Sequence, residues 1–223
     1  MAVEHAVVVA LSGCTATGKT TLALALQQRF PQRVEIVHAD RHHLPAAHCQ
    51  KLDLHGLPWP SGSVPQAFLE RGYADLNIPS SIRWTTLHDA VTAAVDGDTS
   101  TPAAGDAPRL VIVEGHLLFS AHAGAARLRK LCSHHVVLDA DGDDALVMET
   151  LWRRKYQRKH LGKPSYASRG VTAEEYAVWW SSYCWPRWVE HGQVAVPSTA
   201  LRLDCLQPRT ALADALVDAT GWG

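Results

Sequence analysis

Gly13-Cys14-Thr15-Ala16-Thr17-Gly18-Lys19-Thr20 has the Gly-x-x-x-x-Gly-Lys-Thr spacing of a Walker A phosphate-binding loop. The apolar run Ala6–Leu11 precedes it and reads as a buried parallel strand. Thr20–Phe30 follows, rich in strong helix formers. Strand, glycine loop and helix together give the motif its mechanism. Glycines let the backbone curl so that successive N–H groups point at phosphate oxygens, and the helix N-terminus adds partial positive charge. Lys19 can reach the outer phosphates and the Thr20 hydroxyl can ligate Mg2+. Gly13, Cys14, Thr15, Ala16, Thr17, Gly18, Lys19, Thr20 and Thr21 are therefore the candidates for holding a nucleoside triphosphate. Cys14 lies beside Lys19 and the helix N-terminus, both of which favour a thiolate, so it is either a redox-sensitive thiol or a buried, inert side chain.

Apolar, β-branched runs then alternate with helical segments. Strands are expected at Val34–His38, Arg109–Glu114, His134–Asp139 and Ala200–Asp204. Helices are expected at 82–95, 123–131, 143–161, 173–190 and 208–219. Such alternation predicts an α/β fold: a five-stranded parallel sheet flanked by helices, as in a P-loop NTPase. One domain over 1–223 is expected. Its polar, proline-punctuated stretch at about 96–108 reads as a flexible insertion, and Ala46–Pro65 as substrate-side structure or a flap.

The chain has 223 residues, is 47% hydrophobic and has a formal net charge of −1. That length suits one sizeable core, and the charge balance marks no partner among nucleic acids or anionic membranes. Five scattered cysteines show no CxxC or zinc-ligand spacing, so reduced thiols are expected. With no signal peptide and no apolar run long enough to span a bilayer, the expected location is cytoplasmic, as a monomer or homodimer. None of the thirteen histidines falls in a metal-binding pattern, and they read as scattered surface and loop residues.

Three further sets of residues carry chemistry. Glu114 closes the third strand, where a carboxylate can hold Mg2+ or cap a helix. Asp40 closes the second strand, where from position alone it is a site carboxylate or a helix N-cap. Arg153, Arg154 and Arg158 lie on a basic helix, either a solvated face or part of a lid over about 152–170 that closes on the triphosphate. Tyr176, Trp179, Trp180, Tyr183, Trp185 and Trp188 form a dense aromatic run. It is either a packed core face or a stacking surface for a flat substrate ring.

Taken in order, these anchors resemble the nicotinamide riboside kinase and uridine kinase group of P-loop small-molecule kinases. They are Leu11–Ala23, His38-Ala39-Asp40, Ile112-Val113-Glu114-Gly115-His116-Leu117-Leu118-Phe119, the basic helix and Val178-Trp179. The resemblance implies transfer of the γ-phosphate of ATP, with Mg2+, to a hydroxyl of a small-molecule acceptor. It implies Asp40 as general base, with Lys19, Thr20 and Glu114 managing phosphate and metal. Departures lie on the acceptor side. Asn77 stands where the group commonly has a sugar-binding acid, His160 where the lid usually has a tyrosine, and Arg41-His42-His43 follow the base. Asp40, Asn77 and His160 are thus the candidate acceptor contacts. Two other readings are a catalytically altered, regulatory nucleotide binder and a GTPase switch. The latter lacks an Asn-Lys-x-Asp guanine motif after Asp139-Ala140-Asp141-Gly142.

Overall fold

A computed structural model describes residues 6–70, 74–97, 108–139, 144–158 and 164–222. The insertion expected at about 96–108 and His160 therefore fall largely or wholly outside the described residues. In chain order the elements are β1 (Ala6–Gly13), α1 (Lys19–Arg29), β2 (Val34–His38), α2 (Gln66–Leu69), α3 (Trp84–Asp96), β3 (Arg109–Glu114) and α4 (Ala123–Arg129). They continue with β4 (His134–Asp139), α5 (Asp144–Gln157), α6 (Ala173–Trp179), α7 (Trp185–Arg187), β5 (Leu201–Asp204) and α8 (Arg209–Thr220).

The five strands form one all-parallel sheet in the order β2-β3-β1-β4-β5. Continuous β-branched runs suit strands covered on both faces. Alternate residues duly serve two cores. Val9, Leu11, Leu110, Ile112, Val136 and Leu138 pack with Leu22 and Leu26 of α1 and Leu216 of α8. Val8, Ala10, Val111, Val113 and Val137 pack with Leu87 and Val91 of α3 and Leu128 of α4. Because every strand runs the same way, the C-terminal ends of β1, β2 and β3 emerge side by side, carrying the phosphate loop, Asp40 and Glu114.

Two segments carry more detail than their sequence alone predicts. Residues 46–65, read as substrate-side structure or a flap, are anchored: Leu54, Trp59 and Val64 are buried in the α1-side core, and Trp59 Nε1 donates to the Leu54 carbonyl at 2.7 Å. The helix expected over 173–190 exists but widens into π turns at Trp180–Cys184 and Trp188–Gly192, on either side of α7. Pro186 lacks the N–H that an α rung to Ser182 would need. The aromatic run resolves as core. Tyr176, Trp180, Tyr183 and Trp188 are buried, with Tyr176 packed on Tyr166 at a ring separation of 4.6 Å. Among the described residues no helix is long and apolar enough to cross a membrane.

Candidate active site

The phosphate loop leaves β1 through Gly13, whose φ of 154° and tight surroundings exclude a side chain. A Cβ there would lie 2.6 Å from the Leu138 carbonyl of β4. Ala16 holds a left-handed φ of 68°, and Gly18, at φ 99°, caps the start of α1. A non-glycine residue in that region costs roughly 1–2 kcal/mol, a strain of the kind that gathers at functional sites. The Thr17 hydroxyl donates to the Cys14 carbonyl at 2.9 Å, and Lys19 Nζ donates to the carbonyls of Gly13 and Cys14 at 2.9 and 2.8 Å. The loop is thus internally braced, with the Lys19 ammonium curled over its mouth.

Glu114 is buried at the end of β3, where its Cα pairs with Leu11 of β1 and His38 of β2. Its Oε1 accepts the Thr20 hydroxyl at 3.0 Å and lies 2.7 Å from His38 Nδ1. A carboxylate oxygen only accepts, so that imidazole nitrogen carries the hydrogen. The glycine that follows is required by close approach, since a Cβ on Gly115 would sit 2.6 Å from the Ala39 Cβ. That contact presses the exit of β3 against the 3-10 turn Ala39–His42, which holds Asp40.

Asp40 is 64% exposed at the cleft mouth, with Oδ1 3.6 Å from His116 Nδ1 and 3.9 Å from His43 Nε2. Partial withdrawal from water works to raise its pKa. The nearby imidazole of His116, then the charges of Lys19 and His43, outweigh this and hold the carboxyl well below the usual carboxylate range. Asp40 is therefore ionised whenever the phosphate loop is in use near neutral pH, and it caps no helix through its side chain.

Two cavities flank the loop. A small polar one of about 50 Å³ is lined by Lys19, Thr20, Asp40, Glu114, His116 and Arg158, among others. A larger one of about 350 Å³ lies over Thr17, Thr21 and Leu22 and reaches Arg154, Arg158, Cys205, Gln207 and Arg209. The lid arginines thereby separate. Arg158 lines both cavities, and Arg154 lines the larger one while donating to the Cys205 carbonyl at 3.2 Å. Arg153 lines neither. It is exposed and bonds Glu149 one turn back, at 2.6 Å through Nη2.

Asn77 lines neither of these cavities; its Nδ2 lies 4.0 Å from Cys184 Sγ. The acid of that segment is Asp75, which is buried. It accepts the Tyr183 hydroxyl at 2.5 Å and lies 3.4 Å from Arg187 Nη2. Burial, then the hydrogen bond and charge of Asp75, drive the Tyr183 pKa upward. This carboxylate fastens residues 74–81 to the long helix. Cys14 takes the second of its two readings: burial pushes its thiol up to about 12, overriding Lys19, so the loop holds no reactive thiolate. His38, His116 and Lys155 around the cleft were not singled out from sequence. For His38 the available signal was its position two residues before Asp40, on the strand expected beside Glu114.

The oxygen donors Thr20 and Glu114 fit Mg2+, a hard cation that takes few protein ligands beside phosphate and water. The braced loop, Lys19 and the adjoining cavity fit a nucleoside triphosphate. No protein-family model and no curated protein matches the chain. Solved structures do match. A protein assigned as a fructose transport system kinase from Silicibacter sp. TM1040 is 20% identical over 89% of this chain and 90% of that one, with a TM-score of 0.54. The chain shares the fold of that structure, a five-stranded parallel sheet flanked by helices. A gluconokinase from Sinorhizobium meliloti 1021 (12% identity, 98% and 93% covered, TM-score 0.53) shares it. So does a sugar kinase from Janibacter sp. HTCC2649 (16% identity, 98% and 96% covered, TM-score 0.51).

Proposed function

We propose that the chain is an ATP- and Mg2+-dependent kinase that phosphorylates a hydroxyl of a small, polar, sugar-like metabolite. The observation that carries this is one polar cleft. Adjacent strands β1, β2 and β3 deliver Lys19, Asp40 and Glu114 around it, and Arg158 completes the wall.

In this reading the backbone N–H groups of the loop and Lys19 orient the triphosphate. Bound ATP with Mg2+ supplies the phosphoryl group and neutralises much of its charge. Thr20 and Glu114 hold the metal, and His38 fixes the Glu114 carboxylate. Asp40 accepts the proton of the attacking hydroxyl and orients its oxygen. Arg158, with Arg154 beside the larger cavity, stabilises charge spreading over the transferred group. His160 keeps its place as an acceptor-side candidate from sequence.

A sugar-like acceptor is favoured over a nucleoside because the aromatic run is spent on the core, where Trp180 and Tyr176 are fully buried rather than free to stack on a base. The names of the three similar structures, all kinases of sugars or sugar acids, support the same class. A cytoplasmic enzyme acting as monomer or homodimer accords with this chemistry.

The test is ADP release with ATP and Mg2+ over a panel of hydroxylated metabolites. At least one acceptor should raise release well above the basal rate, and Asp40→Asn should cut that turnover roughly 100-fold or more with ATP binding nearly intact. Intact ATP binding with no acceptor turned over would favour the regulatory, non-transferring reading.

A further inference from the structure

His43 follows Asp40 by three residues, yet the two reach the cleft by different anchors. The backbone around His43 is pinned to the segment after Asp75. Leu44 N donates to the Ser81 carbonyl at 2.7 Å and Arg83 N to the His42 carbonyl at 2.8 Å, around an isolated bridge between His43 and Ile82. The ring is pinned too, with Nδ1 3.1 Å from the Ser81 hydroxyl.

That hydroxyl settles the tautomer. Ser81 is buried, and its single hydrogen is committed to backbone carbonyls, that of Ile78 at 2.7 Å and that of Leu76 at 3.2 Å. It can only accept from the imidazole, so Nδ1 carries the hydrogen and a neutral His43 presents a bare Nε2 lone pair. Burial keeps the ring's pKa below the ordinary histidine value. His116 adds to that effect, while Asp40 and a hydrogen bond to the Ser81 backbone oppose it. The titratable groups facing the ring are Asp40 on its own turn and His116 from the loop after β3, whose ring centroid lies 6.2 Å away.

Nε2 of His43 and Oδ1 of Asp40 are thus two hydrogen-bond acceptors 3.9 Å apart. They cannot satisfy each other, and the spacing suits two donors carried on adjoining atoms. Gauche hydroxyls on neighbouring carbons hold their oxygens about one hydrogen-bond length apart, each with its own hydrogen.

We propose that Asp40 and His43 together read a vicinal diol on the acceptor, with Asp40 taking the hydroxyl that is phosphorylated and His43 Nε2 accepting a hydrogen bond from its neighbour. This rests on the kinase reading and narrows its substrate class. The reacting oxygen gives its proton to Asp40 and forms the new bond to the γ-phosphorus. The bond from that phosphorus to the β–γ bridging oxygen breaks, its electron pair leaving with ADP. The neighbouring hydroxyl keeps its proton and serves only recognition. Open-chain polyols, sugar acids and many sugars carry such a pair. The 5′-hydroxyl of a nucleoside does not, because the adjoining carbon bears the ring oxygen.

The test measures ADP release for D-gluconate, D-fructose and glycerol, for uridine with the phosphorylated position assigned by NMR, and for the isolated alcohols 1-propanol and 2-methoxyethanol, which carry no donor beside the hydroxyl. The best acceptor is then compared with its analogue lacking the hydroxyl next to the phosphorylated one. The diol should be preferred about 10-fold or more in kcat/KM. His43→Ala should bring that ratio close to one, chiefly by raising the acceptor KM, with the KM for ATP unchanged. His43→Gln, whose amide reaches the Nε2 position, should retain part of the preference; a merely structural role would depress diol and analogue alike. Uridine phosphorylated at its 5′-hydroxyl or an isolated alcohol as the best acceptor, or an undiminished ratio in His43→Ala, overturns the diol and leaves the kinase standing. ATP binding with no ADP release from any acceptor overturns both.

Discussion

His38 Nδ1 and the Thr20 hydroxyl converge on the same oxygen of Glu114, at 2.7 and 3.0 Å. The imidazole thus holds in place the carboxylate best situated for Mg2+. Outer contacts of this kind typically contribute 10–100-fold in metal affinity or activity. His38→Ala should therefore raise the Mg2+ concentration needed for half-maximal binding of a fluorescent ATP analogue by about 10-fold. An unchanged Mg2+ requirement would show that Glu114 needs no such support.

The acid limb of activity should belong to His43 rather than to Asp40. The Asp40 carboxyl is held far below its usual range and stays ionised well into acid. His43, lowered by burial, is neutral at pH 7 and takes up a proton only as pH falls below the ordinary histidine value. Protonation converts its Nε2 from acceptor to donor and turns it toward Asp40. The kcat/KM for the acceptor should consequently fall with one proton at a pH below that of a free histidine, and His43→Gln should remove the step. A step that survives in that variant would assign it elsewhere.

Substitution of the three arginines to alanine should separate them. Arg158→Ala, removing a residue that lines both cavities, should lower kcat about 100-fold or more. Arg154→Ala should act mainly through the KM for ATP. Arg153→Ala should leave both constants near their original values, because its partner is Glu149 on the exposed helix face. Steady-state kinetics on purified variants distinguishes these outcomes.

Cys14 should be inert. With its thiol pushed up to about 12 and the side chain buried, maleimide or iodoacetamide at pH 8 should leave it unlabelled in the native protein and label it after unfolding. Peptide mapping by mass spectrometry reads this directly. Rapid native labelling at Cys14 would show that the loop opens.

The aromatic run should matter for stability. Trp180 is fully buried, so Trp180→Ala should cost about 3–5 kcal/mol in chemical denaturation while leaving the KM for ATP nearly unchanged in the fraction that folds. A large change in acceptor KM without loss of stability would instead return the indole to a binding surface.

Sequence legibility followed the range of the interactions involved. The limits of β2, β3 and β4 could be read because each carries a short apolar, β-branched stretch ending at a polar residue. The positions of Gly13, Lys19 and Thr20 around the turn from β1 into α1, and of Glu114 at the end of β3, could be read from their own segments of the chain. Residues whose roles depend on tertiary partners were not. Asn77 was singled out where Asp75, two positions earlier, is the buried acid, a difference made by Tyr183 and Arg187 more than a hundred residues away. Arg153 and Arg154 of α5 and Arg158 just after it are equivalent as a pattern and differ in which of them reaches the cavities beside the loop. His43 and His116 could be seen as histidines but not as neighbours, because the packing of β3 against the turn after β2 brings them together.

The route from β2 to α3 has an engineering consequence. Residues 43–70 and 74–82 run outside the sheet, joined to each other by the His43–Ile82 and Lys51–Ala74 bridges and anchored by Trp59 and Phe68. Their ends lie close together, so the excursion is a cassette hung from a fixed frame. Transplanted between kinases of this fold together with its aromatic anchors, such a cassette would exchange one acceptor preference for another while the phosphate machinery of the host stays in place.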